Sequence, residues 1–182
     1  MNVTRRLFAA LVVGASALAA MPAMAQSGTP HLILTLPAGA VDIELLPEIA
    51  PKHVERIVTL ASDGFYDGIV FHRVIEGFMA QTGDPTGTGM GGSELPDVEA
   101  EFNAESFGRG AVGAARSQDP NSFNSQFFIV YDDASFLDGQ YTVFGKVVSG
   151  MEAVDALKKG SQTANGQVDN PDAIVSAKIE YR

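Results

Sequence analysis

The sequence predicts a mainly β protein, in which about eight short strands close into a β-barrel and two helices act as lids. Nineteen glycines and nine prolines among the 182 residues supply the many turns that such a fold needs. The hydrophobic content of 46% and the charged content of 19% are typical of a globular chain rather than a disordered one. Because the sequence contains no internal repeat and no linker to a second domain, we expect residues 31–182 to form one domain.

Short apolar runs between turn residues define the candidate strands. The first two candidates, 31–36 and 40–46, flank the turn Pro37–Gly39. Apolar and acidic residues alternate through 41–45, which predicts one buried and one solvated face. The remaining strand candidates are 69–75, 78–82, 110–115, 126–131, 141–148 and 173–181.

Two segments have the apolar spacing of a helix. In 47–62, apolar residues recur three and four positions apart between Val54 and Ala61. In 151–158, apolar residues recur every three positions, and Gly160 then ends the pattern.

The N-terminus has the pattern of a cleavable signal peptide over residues 1–25. A positive start at Arg5–Arg6 precedes an apolar run over 7–20, and Ala23–Ala25 provides an A-x-A cleavage site. A retained membrane anchor would need about 18 or more apolar residues, more than this run contains. We expect residues 26–30 to form a flexible leader after cleavage.

The predicted export route and the net charge of the cleaved chain argue against several kinds of function. Arg5 and Arg6 also resemble the twin-arginine motif, but paired arginines are common in ordinary signal peptides, so we expect the Sec route. Cleavage removes these two arginines and no acid, leaving ten basic and 22 acidic side chains and a net charge of −12. Such a surface repels phosphate backbones and anionic lipids, which argues against nucleic-acid or membrane-surface roles.

Several kinds of site lack their usual residues. The chain has no cysteine, and His31, His53 and His72 lie too far apart for metal-ligand spacing, so we expect no metal site. The stretch 87–92 satisfies a G-x-G-x-x-G search, but no helix pattern follows it, which favours a flexible loop over a nucleotide site. The acidic run 94–101 lacks the ligand spacing of a calcium loop and is interpreted as a solvated loop.

Three segments carry the chemistry: 71–84, 121–129 and 136–147. In the first, Arg73 stands between apolar strand residues, where a buried guanidinium is costly without partners. From this local pattern alone, an edge-strand arginine reaching water is the slightly favoured interpretation. The aromatic residues of the second segment could belong to the core. The third contains an Asp-Gly turn at the start of a strand.

Together these segments resemble cyclophilins. The matching strings are F-H-R-V-I at 71–75, G-F-M-A-Q at 77–81, S-Q-F-F-I at 125–129, F-L-D-G near 136 and V-F-G-K-V near 143. The resemblance implies an eight-stranded antiparallel β-barrel capped by two helices, in agreement with the count of strands and helices above. It also implies a peptidyl-prolyl cis–trans isomerase, which needs neither a nucleophile nor a cofactor, because it only has to bind the twisted amide best.

The resemblance also implies the site residues. Arg73 would be the catalytic residue, donating hydrogen bonds to the substrate's proline nitrogen and nearby carbonyl. The apolar pocket for the proline ring would consist of Phe78, Met79, Phe128 and Leu137. The other substrate-binding residues would be Gln81, which orients Arg73, Ala115 and Arg116, whose backbone anchors the substrate, and Gln126, Phe136 and Tyr141 in the same groove.

Three of these residues depart from the family pattern. Arg116 stands where the family has an asparagine, but the expected contact uses its backbone. Phe136 stands where the family often has a tryptophan that contributes to cyclosporin binding, so weak cyclosporin binding is expected. Tyr141 stands where many eukaryotic members have a histidine, and both are flat groups that form hydrogen bonds. Phe136, the short loops and the signal peptide together indicate a bacterial periplasmic protein.

The expected partners are proline-containing peptides and unfolded exported proteins, bound by a monomer that has no membrane span after cleavage. Two alternatives remain at this point. One is a non-catalytic binding module of the same fold. The other is a small-ligand barrel such as a lipocalin, which is disfavoured because side chains that fill an eight-stranded barrel leave no cavity.

Overall fold

The computed structural model describes residues 28–182, so the predicted signal peptide and the first two residues of the predicted leader lie outside the described residues. Within this range the chain forms eight strands and two α-helices. Their bounds are β1 Pro30–Leu36, β2 Gly39–Leu45, α1 Pro51–Ser62, β3 Arg73–Ile75, β4 Met79–Thr82, β5 Ala111–Ala114, β6 Phe127–Val130, β7 Val143–Ser149, α2 Met151–Asp155 and β8 Ser176–Tyr181. Thr29 and Arg182 exchange two backbone hydrogen bonds (2.7 and 3.1 Å). The pairing of the N-terminal and C-terminal segments therefore starts slightly before residue 31, the predicted start of the domain.

All eight strands form one antiparallel sheet in the order β3-β4-β6-β5-β7-β2-β1-β8. The two edge strands, β3 and β8, do not pair with each other. The outer edge of β3 is already occupied, since the Val74 N–H donates to the Gly166 carbonyl at 2.8 Å. The seam is spanned instead just before each edge strand, where the Gly68 N–H donates to the Ile174 carbonyl at 2.8 Å. The predicted closed barrel is therefore corrected to a curled sheet whose seam is spanned by loop segments.

Strand β6 shows how the sheet supports two apolar cores. Phe127 and Ile129 point into the barrel core, which is shared with β1, β2 and α1. Phe128 and Val130 point to the opposite face, because successive strand residues alternate between the two faces. There they join a second, smaller core, whose other buried members are Met79, Phe107, Ala111, Ala134 and Val143. All four residues of β6 are buried for this reason.

Both predicted helices form, but each is shorter than its predicted range. Helix α1 begins at Pro51 rather than at residue 47, because a turn closed by the hydrogen bond from Ala50 N–H to the Leu46 carbonyl (3.1 Å) precedes it. A proline suits the first helical turn, where its missing N–H has no partner to lose. Helix α2 ends at Asp155 rather than at residue 158. None of the helices within residues 28–182 is long and apolar enough to cross a membrane.

A residue distant in sequence caps helix α1, which has no side-chain cap of its own. The Glu101 carboxylate accepts hydrogen bonds from the backbone N–H groups of Lys52 (3.1 Å) and His53 (3.0 Å). It also lies 2.6 Å from Nδ1 of the buried His53 ring. Burial by itself would raise the pKa of Glu101, but these hydrogen bonds outweigh burial and lower it.

We expect Glu101→Ala to lower the free energy of unfolding by about 1–2 kcal/mol, the usual cost of losing an N-terminal cap. Because the pKa of Glu101 is lowered on folding, this stabilisation is present above its ordinary pKa of 4.5 and is lost as the pH falls below that value. Urea denaturation at pH 7 and pH 3 measures both effects. Glu99→Ala is the control, since it removes only an exposed ion pair with Lys52. An equal effect of the two substitutions would contradict the capping role.

Candidate active site

A small cavity lies over the second apolar core, on the outer face of the sheet. It has a volume of about 180 Å³. The lining residues come from several distant segments: Arg73, Phe78, Met79, Gln81, Ala115, Arg116, Phe128, Leu137 and Tyr141. Met79 and Phe128 are almost fully buried, and the Phe128 ring stacks on Phe107 with 5.6 Å between ring centroids. The apolar part of the cavity is thus fixed by tight packing.

Arg73 lies at the edge of this cavity and is held by neutral acceptors. Its Nη1 donates to Gln81 Oε1 at 3.1 Å, since Arg73 and Gln81 face each other in the register of β3 and β4. On the other side, Nε donates to the Asn165 carbonyl at 3.0 Å, and Nη2 donates to Asn165 Oδ1 at 3.1 Å. A guanidinium has five N–H groups, so two remain for a bound molecule.

The charge of Arg73 is not neutralised by any carboxylate within residues 28–182, where all the ion pairs involve other cations. Burial lowers the pKa of Arg73, and Tyr141 partly offsets this. The group stays protonated, because an arginine pKa lies far above neutral pH. A poorly hydrated and unpaired cation therefore faces the cavity.

Gln81 belongs to a chain of side-chain amides. Its Nε2 donates to Gln126 Oε1 at 2.9 Å. Nε2 of Gln126 in turn donates to the backbone carbonyls of Gly89 (3.1 Å) and Gly91 (2.8 Å). Gln126 thus lies behind Gln81 rather than in the lining of the small cavity. It lines a neighbouring cavity of about 490 Å³, which shares Gln81, Ala115 and Arg116 with the small one.

The opposite rim of the small cavity contains Ala115, Arg116 and Tyr141. The Ala115 N–H donates to the Gln126 carbonyl at 3.0 Å, so the carbonyl of Ala115 is the backbone group left for a substrate strand. The Arg116 guanidinium lies 4.3 Å from the centre of the Tyr141 ring and donates to the Gln140 carbonyl at 2.9 Å. A cation over an aromatic face is a stabilising arrangement, and it holds this rim in place.

Phe136 lies at the edge of the site rather than in the lining of the cavity. It belongs to a single 3₁₀ turn, Ser135–Leu137, and 63% of its surface is exposed. Its ring lies 5.4 Å from the ring of Phe78. The two rings together form an apolar ledge beside the cavity.

Three residues outside the predicted set also shape the site. Asn165 contacts Arg73 in two ways and has φ 53°, a left-handed conformation that asparagine tolerates and that the following Gly166 signals in the sequence. Phe107 supports Phe128, and Gly113 in β5 lies directly behind both rings. No local pattern marks Phe107 or Gly113, because their partners come from other strands.

No metal site is evident in the described chain, since no group of three or more His, Cys, Asp or Glu side chains within residues 28–182 is placed to hold a metal ion.

The fold and site define a class of protein: a curled antiparallel β-sheet with an open apolar cavity and, at its edge, the Arg73 guanidinium, which has no carboxylate partner within residues 28–182. The sequence profile of the cyclophilin type peptidyl-prolyl cis-trans isomerase/CLD family matches residues 31–179. The chain belongs to the cyclophilin-type peptidyl-prolyl cis–trans isomerases and has the isomerase activity of that family.

Named relatives agree with this assignment. A probable peptidyl-prolyl cis-trans isomerase of Brucella suis is 54% identical over 96% of this chain and 94% of that relative. The human peptidyl-prolyl cis-trans isomerase-like 3 is 44% identical over 66% of this chain and 77% of its own length. A cyclophilin from Cryptosporidium parvum, crystallised in the presence of the dipeptide Ala-Pro, is similar in structure with a TM-score of 0.76. It is 30% identical to this chain, covering 84% of it and 99% of its own chain.

Proposed function

We propose that the small cavity beside Arg73 is the catalytic site for Xaa-Pro bonds and that the chain assists the folding of exported proteins. One observation carries the site assignment: a guanidinium without a carboxylate partner in residues 28–182 lies at the edge of an apolar cavity of about 180 Å³. A cavity of this size suits a single small ring. The Ala-Pro dipeptide used with the Cryptosporidium parvum cyclophilin supports a proline-containing peptide as the ligand.

The chemistry of the reaction explains why one cation is sufficient. Rotation about a peptide bond has a barrier of about 18–20 kcal/mol, because amide resonance is lost. In the twisted amide the proline nitrogen becomes pyramidal and its lone pair is localised on nitrogen, whereas in the planar isomers that pair is delocalised into the carbonyl. The two free N–H groups of Arg73 would donate to that nitrogen and to a nearby carbonyl oxygen. The interaction is stronger in the transition state than in either isomer, which is the condition for catalysis.

The other residues would hold the substrate while its peptide bond rotates. Phe78, Met79, Phe128 and Leu137 would enclose the proline ring, and Gln81 would keep Arg73 in place. The carbonyl of Ala115 would accept a hydrogen bond from the substrate strand. We propose that the active form is a monomer.

A refolding experiment tests the folding role. The chain without residues 1–25 is added to an unfolded protein whose refolding is limited by a slow Xaa-Pro step. We expect the slow phase to accelerate with wild type and to stay slow with Arg73→Ala. If both variants suppress aggregation equally and neither changes the slow phase, the protein acts as a non-catalytic chaperone and the proposed function is wrong.

The periplasmic location rests on the signal-peptide pattern of residues 1–25, which lie outside the described residues. We propose cleavage after Ala25, export by the Sec route and retention in the periplasm. Cell fractionation followed by N-terminal sequencing tests all but the route. A mature protein that starts at Gln26 in the periplasmic fraction supports the proposal, whereas an uncut cytoplasmic chain contradicts it.

Asn165 is expected to contribute to catalysis by holding the guanidinium. Asn165→Gly keeps the positive φ and the backbone carbonyl but removes the Oδ1 acceptor, so we expect kcat to fall about tenfold with little change in KM. A chromogenic Xaa-Pro peptide assay measures both constants. Asn170→Gly makes the same backbone change at the other non-glycine residue with positive φ and should have no effect. A similar loss of kcat in both variants would show that Arg73 does not depend on the Asn165 side chain.

Phe136 is expected to limit cyclosporin binding. Because its ring is largely exposed beside Phe78, a bound cyclic peptide would contact it directly. Tryptophan offers a larger face and an N–H donor. We therefore expect Phe136→Trp to lower the cyclosporin Kd by about tenfold, equivalent to about 1.4 kcal/mol. Isothermal titration measures the change, and an unchanged Kd would exclude this position as the cause of weak binding.

A further inference from the structure

The glycine-rich motif at 87–92 has a structural explanation that its sequence pattern did not reveal. It wraps around the carboxylate of Asp84, which is 1% exposed. That carboxylate accepts hydrogen bonds from the backbone N–H groups of Thr86 (2.7 Å), Thr88 (3.1 Å) and Gly89 (2.6 Å). We call residues 84–91 the Asp84 loop. Its backbone folds around one buried negative charge.

Glycines are required here by geometry. A Cβ atom at position 91 would lie 2.2 Å from Asp84 Oδ1, too close for any side chain. Gly87 and Gly89 have φ of +67° and +86°, conformations that other residues rarely adopt. Burial by itself would raise the pKa of Asp84, but the hydrogen bonds, with that of the Thr86 N–H foremost, lower it to about 2. The loop is therefore closed around an ionised carboxylate at any pH at which the protein is assayed.

The closed loop presents two carbonyls, those of Gly89 and Gly91, to the side chain of Gln126. A carbonyl can only accept a hydrogen bond, so the NH₂ group of Gln126 must face the loop and its Oε1 must face away. Oε1 then accepts from Nε2 of Gln81 at 2.9 Å. The orientation of Gln81 follows in the same way, and its Oε1 is left to accept from Arg73 at 3.1 Å.

The direction of this chain of amides matters for the cation. If Gln126 were reversed, Gln81 would also reverse and would turn its NH₂ group toward the guanidinium. Two donors would then face each other, and Arg73 would lose the acceptor on its inner side. The two loop carbonyls are thus the fixed end of the chain, because backbone carbonyls cannot reverse.

We propose that Asp84 is a positioning residue for the isomerase reaction: it holds the Asp84 loop closed, and the loop sets the orientation of Gln126, Gln81 and finally Arg73. The catalytic guanidinium is thereby aligned from a buried carboxylate that does not line the small cavity. The proposal rests on the isomerase activity and on the assignment of Arg73 as its catalytic residue.

Asp84→Asn tests the proposal with almost no change in shape. An asparagine places an NH₂ group among the N–H donors that the carboxylate accepted, so the loop should open. We expect kcat for an Xaa-Pro peptide to fall about tenfold, with KM changed less than twofold, because alignment rather than binding is lost. Asp67→Asn is the control, since it removes a carboxylate charge whose hydrogen bond, from the Ala177 N–H, is not part of the amide chain, and its remaining Oδ1 can still accept that bond.

Two further measurements separate alignment from a general loss of structure. The side-chain NH₂ resonances of Gln126 and Gln81 in ¹⁵N NMR spectra should shift in Asp84→Asn and stay unchanged in Asp67→Asn. In a Gln126→Ala background, Asp84→Asn should cause no further loss of kcat, because the amide chain is already broken. Unshifted resonances, or losses of kcat that simply multiply, would overturn the proposal.

The proposal can be tested even if one of the variants does not fold. If Asp84→Asn does not fold, Gln126→Ala tests the second half of the chain, since it leaves Asp84 and its hydrogen bonds in place. It should shift the Gln81 resonances and lower kcat about tenfold, the loss expected for Asp84→Asn. The resonances report the amide chain whether or not the wild-type protein is active. A failure of the alignment proposal is thus distinguishable from a failure of the isomerase assignment.

Discussion

Replacement of Arg73 by alanine is expected to lower kcat/KM for a prolyl peptide by about 100- to 1,000-fold, the usual cost of removing one preorganised electrostatic donor. The expected loss is large because the guanidinium is partly buried and unpaired, so bulk water cannot replace it well. Stability should hardly change, since Arg73 has no ion pair to lose. A protease-coupled peptide assay and a thermal melt measure the two quantities.

Arg73→Lys is the informative partner of this variant. It keeps the positive charge but replaces the planar fork by a single ammonium group, which cannot bond Gln81, Asn165 and the substrate together. We expect an activity between those of wild type and Arg73→Ala. Wild-type activity in Arg73→Ala would remove Arg73 from the mechanism.

Replacement of Gly113 by alanine is expected to have the second-largest effect, although Gly113 does not line the cavity. A Cβ atom at this position would lie 2.4 Å from the Phe128 ring and 2.6 Å from the Phe107 ring, so both rings must shift. Phe128 forms a wall of the small cavity, so a shift of its ring away from the new Cβ atom would narrow the space proposed for proline. We expect kcat/KM to fall on the order of 100-fold, as for a displacement of about 1 Å at a site.

The same change should destabilise the fold by about 1–3 kcal/mol through overpacking. Urea denaturation measures this cost, and the peptide assay measures the loss of activity. Gly108→Ala is the matched control, because nothing lies within 4 Å of its added Cβ atom and its φ is not positive. A Gly113→Ala protein that is destabilised but fully active would show that the position of Phe128 does not limit catalysis.

Local sequence patterns predicted the strands and helices well, but they did not predict how the β-sheet is closed at its seam. Alternation in β2 and the turn after β1 gave the correct hairpin, because both are properties of neighbouring residues. The predicted fold class was correct and only the full closure of the barrel was overstated, since closure depends on what occupies the outer edge of β3. The residue that occupies it, Gly166, is more than 90 positions away in the chain.

The predicted site residues were brought together to different degrees. Arg73 and Gln81 face each other because they are directly paired in the register of β3 and β4. Phe136 lies at the exposed edge of the small cavity, and Gln126 lines the neighbouring cavity beside Gln81. Asn165 and Gly113 could not be predicted, because each acts through a residue that is distant in sequence.

The sequence by itself determined the elements of this protein and the motifs that place it among the cyclophilins, including the motif that contains Arg73. Those depend on residue type, spacing and order along the chain. The tertiary structure alone decided that Arg73 is held by neutral acceptors, that Gly113 makes room for Phe128 and that a glycine loop folds around Asp84. The physical reason is that hydrogen bonds and close packing act over a few ångströms in space. Their partners here come from segments that only folding brings together.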